Sequence, residues 1–469
     1  MLLPMSPTDS MFLLGESREH PMHVGGLVLL QPAEGMDTKE IRSMLDAALR
    51  RGDVAPRLRK RARRSVTSLG QWGWDTDTEV DLDYHIRHDA LPQPGGTTEL
   101  MDLVSRLHAG LLDRNRPLWE MHLIEGLADG RFAVYMKIHH ALADGVSAMR
   151  MLRRALSEDP DARDMPAPWE PTPAERRAGL TLVVDEPTTD GGGALDLVAS
   201  AVRVARDVVG EAASLVPALA GTVDRALHDR GGALSLAAPK SVFNVPIGGA
   251  RRFAARSWPI ERLRLVAKFA DATINDVVLA MCSGALRTHL AASDELPESP
   301  LVAMVPVSLR SERREGTAGN EIGMLTCTLG THLDAAGDRL AAVRESMSEG
   351  KESMRTRSAT QIRAMSALGV APLALGMFLG SGAPIRPANV MISNVPGPGM
   401  PLYWNGARLT ALYPLSIPVD GQALNITCTS TDDEIAFGLT GCRRTVPDLE
   451  PMLGFLGDEL DALEDAVGL

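Results

Sequence analysis

Between Ser157 and Gly193 the composition of this 469-residue chain turns to Pro, Asp and Thr, with Pro166, Pro168, Pro171, Pro173 and the glycine triplet Gly191–Gly193 close together. Proline lacks the amide donor that a helix or an inner strand needs, so such a stretch reads as a linker. On either side of it, helical and strand patterns alternate. The expected organisation is an α/β half at residues 1–156, a Pro/Gly-rich linker and connecting helix at 157–236, and a second α/β half at 237–469. The connecting helix is expected at Ala194–Arg230, interrupted at Pro217. With 45% hydrophobic residues, the chain can build large cores, which excludes a disordered or fibrous protein.

In the first half, the apolar run Gly25–Leu30 reads as a strand, and Ile41, Leu45 and Leu49 share one face of a helix over Thr38–Arg51. Leu100–Leu112 reads as another helix. Glu120–Glu125 and Arg131–Lys137 read as adjacent strands joined by Gly126–Gly130. In the second of them, Phe132, Val134 and Met136 alternate with Ala133 and Tyr135. Val146–Leu156 is helical. The second half continues with a helix at Ile274–Leu290 and strands at Pro300–Leu309, Ile322–Leu329, Asn389–Val395, Leu424–Thr429 and Glu434–Leu439. A helix at Pro447–Val467 closes it.

The formal charge of −12 gives no general affinity for nucleic acid, which needs a clustered basic surface. Cys282, Cys327, Cys428 and Cys442 form no C-x-x-C pair and are too few to staple a chain of this length. They read as reduced, buried thiols of a cytoplasmic protein. The N-terminus lacks a basic start and a clean apolar run, so no secretory signal is expected. Ala364–Ile385 is free of charge, but Pro372, Pro384 and four glycines interrupt it. It reads as a buried or membrane-touching helix rather than a span.

His139-His140-Ala141-Leu142-Ala143-Asp144-Gly145 falls between a predicted strand and a predicted helix. A histidine at a strand end facing a cleft suits general-base work, because its ordinary pKa lies near neutrality. Asp144 would hold the turn or pair with an arginine, and Gly145 leaves room for backbone to approach a ligand. Two structural histidines in a turn are the plain alternative. A metal site is less well supported, because neighbouring side chains diverge in extended backbone and no further ligands share the motif.

These residues match the HHxxxDG motif of the CoA-dependent acyltransferase superfamily. Other segments narrow the resemblance: Met5-Ser6-Pro7-Thr8-Asp9, Pro21-Met22-His23-Val24, Pro117-Leu118-Trp119, Asn275-Asp276-Val277, Pro306-Val307-Ser308-Leu309-Arg310, Gly319-Asn320 and Ser393-Asn394-Val395-Pro396-Gly397-Pro398. Together they resemble the bacterial wax ester synthase/diacylglycerol acyltransferase family, from Met5 to about Leu460. The resemblance implies two chloramphenicol-acetyltransferase-like halves with the active site in the tunnel between them. It implies transfer of a long acyl chain from acyl-CoA to diacylglycerol or a long-chain alcohol, with acyl-CoA as a substrate and no cofactor. By the motif, His140 is the base and no covalent acyl-enzyme forms. His139 and Asp144 complete the catalytic set, Asp144 orienting and paired with Arg310. Gly145, Asn275, Asp276 and Asn394 support the site. Each support has a plainer reading as well: Thr273-Ile274-Asn275-Asp276 is a helix-capping pattern, Ser393–Pro398 is turn chemistry, and Pro117-Leu118-Trp119 is packing.

The basic run from Arg50 to Arg64 has three readings: a solvated face flanking a helix, attraction to anionic lipid headgroups, or contact with CoA phosphates. The second would place the enzyme peripherally on the inner membrane face or on lipid droplets. One departure from the family pattern concerns the acceptor side. Thr431 follows Ser430 where the family has an aromatic residue, and the acidic position near Gly441-Cys442-Arg443 is missing. A different alcohol acceptor, a carrier-bound donor, a catalytically weak lipid-binding or droplet protein, and metal-dependent hydrolysis through His139, His140 and Asp144 are the competing functions.

Overall fold

The computed structural model describes residues 3–64, 72–172, 175–177, 238–308, 322–355 and 386–469. The helix expected at Ala194–Arg230, the stretch Ala364–Ile385, Arg310 and Gly319-Asn320 lie outside these residues. In chain order the first half holds β1 (Leu3–Pro4), α1 (Pro7–Gly15), β2 (His23–Gln31), α2 (Thr38–Arg51), β3 (Lys60–Arg64), β4 (Trp72–Thr76), α3 (Leu82–His85), β5 (Ile86–Ala90), α4 (Thr97–Ala109), β6 (Trp119–Glu125), β7 (Phe132–His139) and α5 (Gly145–Arg154). The second holds β8 (Arg251–Pro259), α6 (Ile260–Phe269), α7 (Ile274–Ala291), β9 (Val302–Ser308), β10 (Ile322–Thr328), α8 (Ala336–Arg355), β11 (Val390–Val395), β12 (Tyr403–Trp404), β13 (Ala407–Leu415), β14 (Leu424–Ser430), β15 (Glu434–Cys442) and α9 (Glu450–Val467).

Among the described residues these strands build two six-stranded sheets, in the orders β12-β13-β2-β7-β6-β5 and β10-β9-β11-β14-β15-β8, and a small three-stranded sheet, β1-β4-β3. The alternation in β7 has the expected consequence. Phe132 and Ile138 enter the core under α2, whereas Ala133 and Tyr135 enter a second core on the other face. β6 and β7 pair antiparallel, as their short glycine-flanked connection requires.

The two sheets do not follow the chain order strictly. β13 comes from the second half of the sequence but pairs antiparallel with β2, placing Leu412 opposite Val28. Contacts between the halves continue at α4, which packs on β8. Leu100, Val104, Phe253, Ala255 and Ala411 share one core. The Phe253 amide donates to Ser105 Oγ at 2.9 Å, and Arg252 pairs with Asp102. Burying each large apolar side chain contributes roughly 1.5–3 kcal/mol, so this shared core joins the halves firmly.

The basic run resolves into the end of α2, a 3-10 turn at Pro56–Arg59, and β3. Much of its charge is matched within the protein. Arg51 pairs with Glu170, and Arg61 and Arg63 pair with Asp75. Arg59 donates to the carbonyls of Val54 and Thr78, and Arg64 lies over the Trp72 ring. Arg50 and Arg57 stay exposed. No helix among the described residues is long and apolar enough to cross a membrane.

Candidate active site

The histidine pair sits where β7 ends. His139 is the last residue of the strand, in register with His23 of β2, and its amide donates to the Leu118 carbonyl at 3.0 Å. The His140 amide donates to the Met22 carbonyl at 2.8 Å. The chain then turns back: the amides of Leu142 and Ala143 both donate to the His139 carbonyl. Ala141, Leu142 and Ala143 are buried in the core beneath, so the turn is held from below by apolar contact. Asp144 ends the turn as the N-cap of α5, its Oδ1 accepting the Ser147 amide at 2.7 Å.

The two imidazoles have different environments. His140 is half-buried, and its ring stacks on Phe12 of α1 with centroids 4.1 Å apart and planes 24° apart. Burial pushes its pKa down to about 4. His139 adds to that effect, while Asp144 and a hydrogen bond to the residue's own carbonyl oppose it. A neutral imidazole carries a proton on one nitrogen and can accept one on the other.

His139 is fully buried. Its Nδ1 accepts the Ala141 amide at 3.1 Å, which leaves the proton on Nε2, 3.4 Å from Glu16 Oε1. Both ring nitrogens therefore face protein groups, and His139 holds the turn from behind. That arrangement does not suit a metal ligand. No group of three or more His, Cys, Asp or Glu side chains among the described residues could hold a metal ion.

The second half supplies the opposite wall. A Cβ built on Gly145 would meet Val395 Cγ2 at 3.8 Å, so β11 ends beside the histidine turn. The loop after β11 lies flat on β14. Thr429 Oγ1 donates to the Val395 carbonyl at 2.8 Å, and a Cβ on Gly397 would stand 1.8 Å from the Ser430 carbonyl oxygen. Only glycine permits that approach. Asn394 is half-buried on β11, opposite Cys428 of β14.

The remaining expected residues divide. Asp276 is buried at the start of α7 in a capping box, its Oδ2 accepting from the Thr273 amide at 2.9 Å and the Thr273 hydroxyl at 2.7 Å. Capping thus accounts for its described hydrogen bonds, and the neighbouring Asn275 is half-buried in the same first turn. Trp119 is packing: it is fully buried, stacks on His85 at 4.4 Å and donates Nε1–H to the Leu58 carbonyl at 2.8 Å. Arg310, the expected partner of Asp144, lies outside the described residues. Thr431 begins the turn from β14 to β15, where Asp432 reaches Arg408 at 3.9 Å. This part of the departure from the family pattern falls on a hairpin turn, whereas Gly441 and Cys442 end β15.

Sequence reasoning passed over Phe12, Glu16, Met22 as a carbonyl acceptor, and Arg114. A signal for α1 was present: Ser6 followed by Pro7 is a helix-start pattern, and Ser6 Oγ does accept the Asp9 amide. Phe12 and Glu16 are then four apart, one turn above the other.

The chain that carries this histidine turn has known relatives. Residues 5–278 match the wax ester synthase/diacylglycerol acyltransferase catalytic domain, and residues 318–464 match the C-terminal domain of the same proteins. The chain belongs to the wax ester synthase/diacylglycerol acyltransferase family. A putative diacylglycerol O-acyltransferase of Mycobacterium tuberculosis is 53% identical over 472 residues, covering 99% of this chain and 91% of that protein. A probable diacylglycerol O-acyltransferase of the same species is 45% identical, with 99% of each chain covered. Among solved structures, the wax ester synthase/diacylglycerol acyltransferase of Marinobacter aquaeolei VT8 matches at a TM-score of 0.79 and 40% identity, over 100% of both chains. The first condensation domain of the calcium-dependent antibiotic synthetase shares the fold at 17% identity and a TM-score of 0.59, covering 100% of this chain and 98% of that one. The two-half acyltransferase architecture expected from the motifs is thus the one this chain has.

Proposed function

We infer that the chain is an acyl-CoA-dependent O-acyltransferase that moves a long acyl group to the hydroxyl of diacylglycerol, giving triacylglycerol. Long-chain alcohols are the second acceptor class, giving wax esters. The observation that carries the reading is His140 just beyond the end of β7, stacked under Phe12, in a turn whose Gly145 lies beside Val395 of the second half.

In this mechanism the free nitrogen of His140 takes the acceptor's hydroxyl proton as its oxygen attacks the thioester carbonyl. A tetrahedral oxyanion forms. It collapses with cleavage of the carbon–sulfur bond, and the departing CoA sulfur takes the proton back from His140. Ester and free CoA result, no acyl-enzyme intervenes, and no cofactor is needed. Asp144 favours the protonated ring that forms in between, since its charge already favours that form in the resting enzyme. Asn394 and the loop through Gly397 wall the acyl side, and Asn275 and Asp276 support the second half.

The acceptor is dissolved in lipid, so the enzyme works at a membrane or droplet surface in the cytoplasm. Support comes from α1 and its approach: Leu3, Met11 and Leu14 are exposed while Phe12 of the same helix covers His140. Flotation with phosphatidylcholine vesicles carrying diacylglycerol tests this; equal recovery of wild type and Met11→Ser/Leu14→Ser in the vesicle fraction would contradict it. The function itself is tested by CoA release from long-chain acyl-CoA with diacylglycerol, hexadecanol or no acceptor. Release stimulated by diacylglycerol, with triacylglycerol formed, is expected. Stimulation by neither acceptor would overturn the reading.

A further inference from the structure

The segment from Phe12 to Met22 is joined to the histidine turn at several points. Glu16 lies at its centre. The side chain is buried, which is unfavourable for a carboxylate unless charged or polar groups surround it. Arg114 and His139 do so. Arg114 Nε donates to Glu16 Oε2 at 2.8 Å, and its Nη2 donates to the carbonyls of Leu13 at 2.9 Å and Glu16 at 3.2 Å. That guanidinium fastens the end of α1 as well as the carboxylate. On the other side, Glu16 Oε1 faces His139 Nε2 at 3.4 Å and accepts the Met22 amide at 3.4 Å. Met22 in turn gives its carbonyl to the His140 amide.

Glu16 therefore reaches His140 by two routes, one through the His139 ring and one through the Met22 peptide. Burial opposes its charge, but His139 and Arg114 outweigh that and hold the carboxyl below the usual carboxylate range, so it stays ionised at neutral pH. A carboxylate 3.4 Å from Nε2 favours the proton on that nitrogen of His139. It also leaves Nδ1 to accept the Ala141 amide, the contact that shapes the turn just after His140. Catalytic side chains need their geometry held by such supporting contacts, because a displacement of about 1 Å costs on the order of 10²-fold in rate.

We propose that Glu16, clamped by Arg114, is a positioning residue that sets the tautomer of His139 and through it the placement of the His140 base. Glu16 does not touch substrate. It rests on His140 being the base, and the test separates the two claims.

The experiment measures kcat and KM for long-chain acyl-CoA with diacylglycerol in wild type, Glu16→Gln, His139→Asn, the double variant and His140→Ala, with folding checked by circular dichroism and urea unfolding. Glutamine keeps the volume of Glu16 and removes its charge. Glu16→Gln is expected to lower kcat roughly 10–100-fold with KM within about twofold. The double variant is expected to be little worse than His139→Asn alone, because both act on one contact. Wild-type kcat in folded Glu16→Gln, or losses that multiply in the double variant, would overturn the proposal. If Glu16→Gln does not fold, Arg114→Lys carries the test: it keeps the cation but loses the clamp on the Leu13 and Glu16 carbonyls. A drop in kcat of about 10-fold is then expected, and wild-type kcat overturns the proposal. Full activity of His140→Ala would instead remove the base assignment itself. Inactive His140→Ala beside fully active Glu16→Gln removes only the positioning role.

Discussion

The acid limb of the pH–rate profile reads the environment of His140 directly. Burial under Phe12 pushes the imidazole down to about 4 from an ordinary 6.5. The folded enzyme thus keeps this base neutral over a wider range than a solvated histidine would. At pH 5.5 a group with pKa about 4 is ~97% neutral, whereas one at 6.5 is only ~10% neutral. Moving from pH 7.5 to 5.5 should therefore lower kcat/KM for acyl-CoA by less than about twofold, against roughly tenfold for an unburied histidine. The quantity to follow is kcat/KM, which reports the free enzyme, with CoA detected by a dithiodipyridine reagent that reacts in acid. Phe12→Ala should move the limb back toward 6.5 by letting water reach the ring. Stability limits the range. His108 is held near 3, below its unfolded value, mainly by burial. The unfolded chain then takes the proton first, and stability falls as pH drops below about 6.5. Measurements kept above pH 5, with folding verified at each point, separate that loss from protonation of His140. An acid limb between pH 6 and 7 in the folded wild type would refute the reasoning.

Two further outcomes follow from packing and capping. Trp119→Ala should cost about 3–5 kcal/mol in urea unfolding, because it empties a fully buried site and leaves the Leu58 carbonyl without its donor; a loss under about 1 kcal/mol would show that the site collapses freely. Asp144→Ala should cost about 1 kcal/mol through the lost cap on Ser147, and Asp144→Asn much less, since asparagine also caps. Equal losses from both would contradict the capping role.

The sequence carried the strands and helices near the motif well. Thr38–Arg51 forms the helix that Ile41, Leu45 and Leu49 imply, and β6, β7 and α5 lie where alternation and the histidine turn put them. These elements are amphipathic and locally determined. β13 was not legible, because its pairing with β2 joins residues almost four hundred positions apart and leaves no local mark. The split at residue 237 describes chain order and not sheet membership for the same reason. In the site, His140 and Asp144 were singled out by the HHxxxDG resemblance, and their described contacts lie close to their own turn. Glu16 and Arg114 were not, as their contact spans 98 positions and depends on how α1 docks. His139 entered the catalytic set through the same motif, and its burial and the Ala141 amide on its Nδ1 show the contacts by which it holds the turn. Asp276 carries two roles in sequence reasoning, and its described hydrogen bonds serve the capping one.

Acceptor-dependent CoA release in His140→Ala beside wild type tests the central claim most directly. The account predicts a folded variant with an unfolding midpoint close to wild type and with diacylglycerol-stimulated release lowered on the order of 10²–10⁴-fold. Release at the wild-type rate from the folded variant would contradict it.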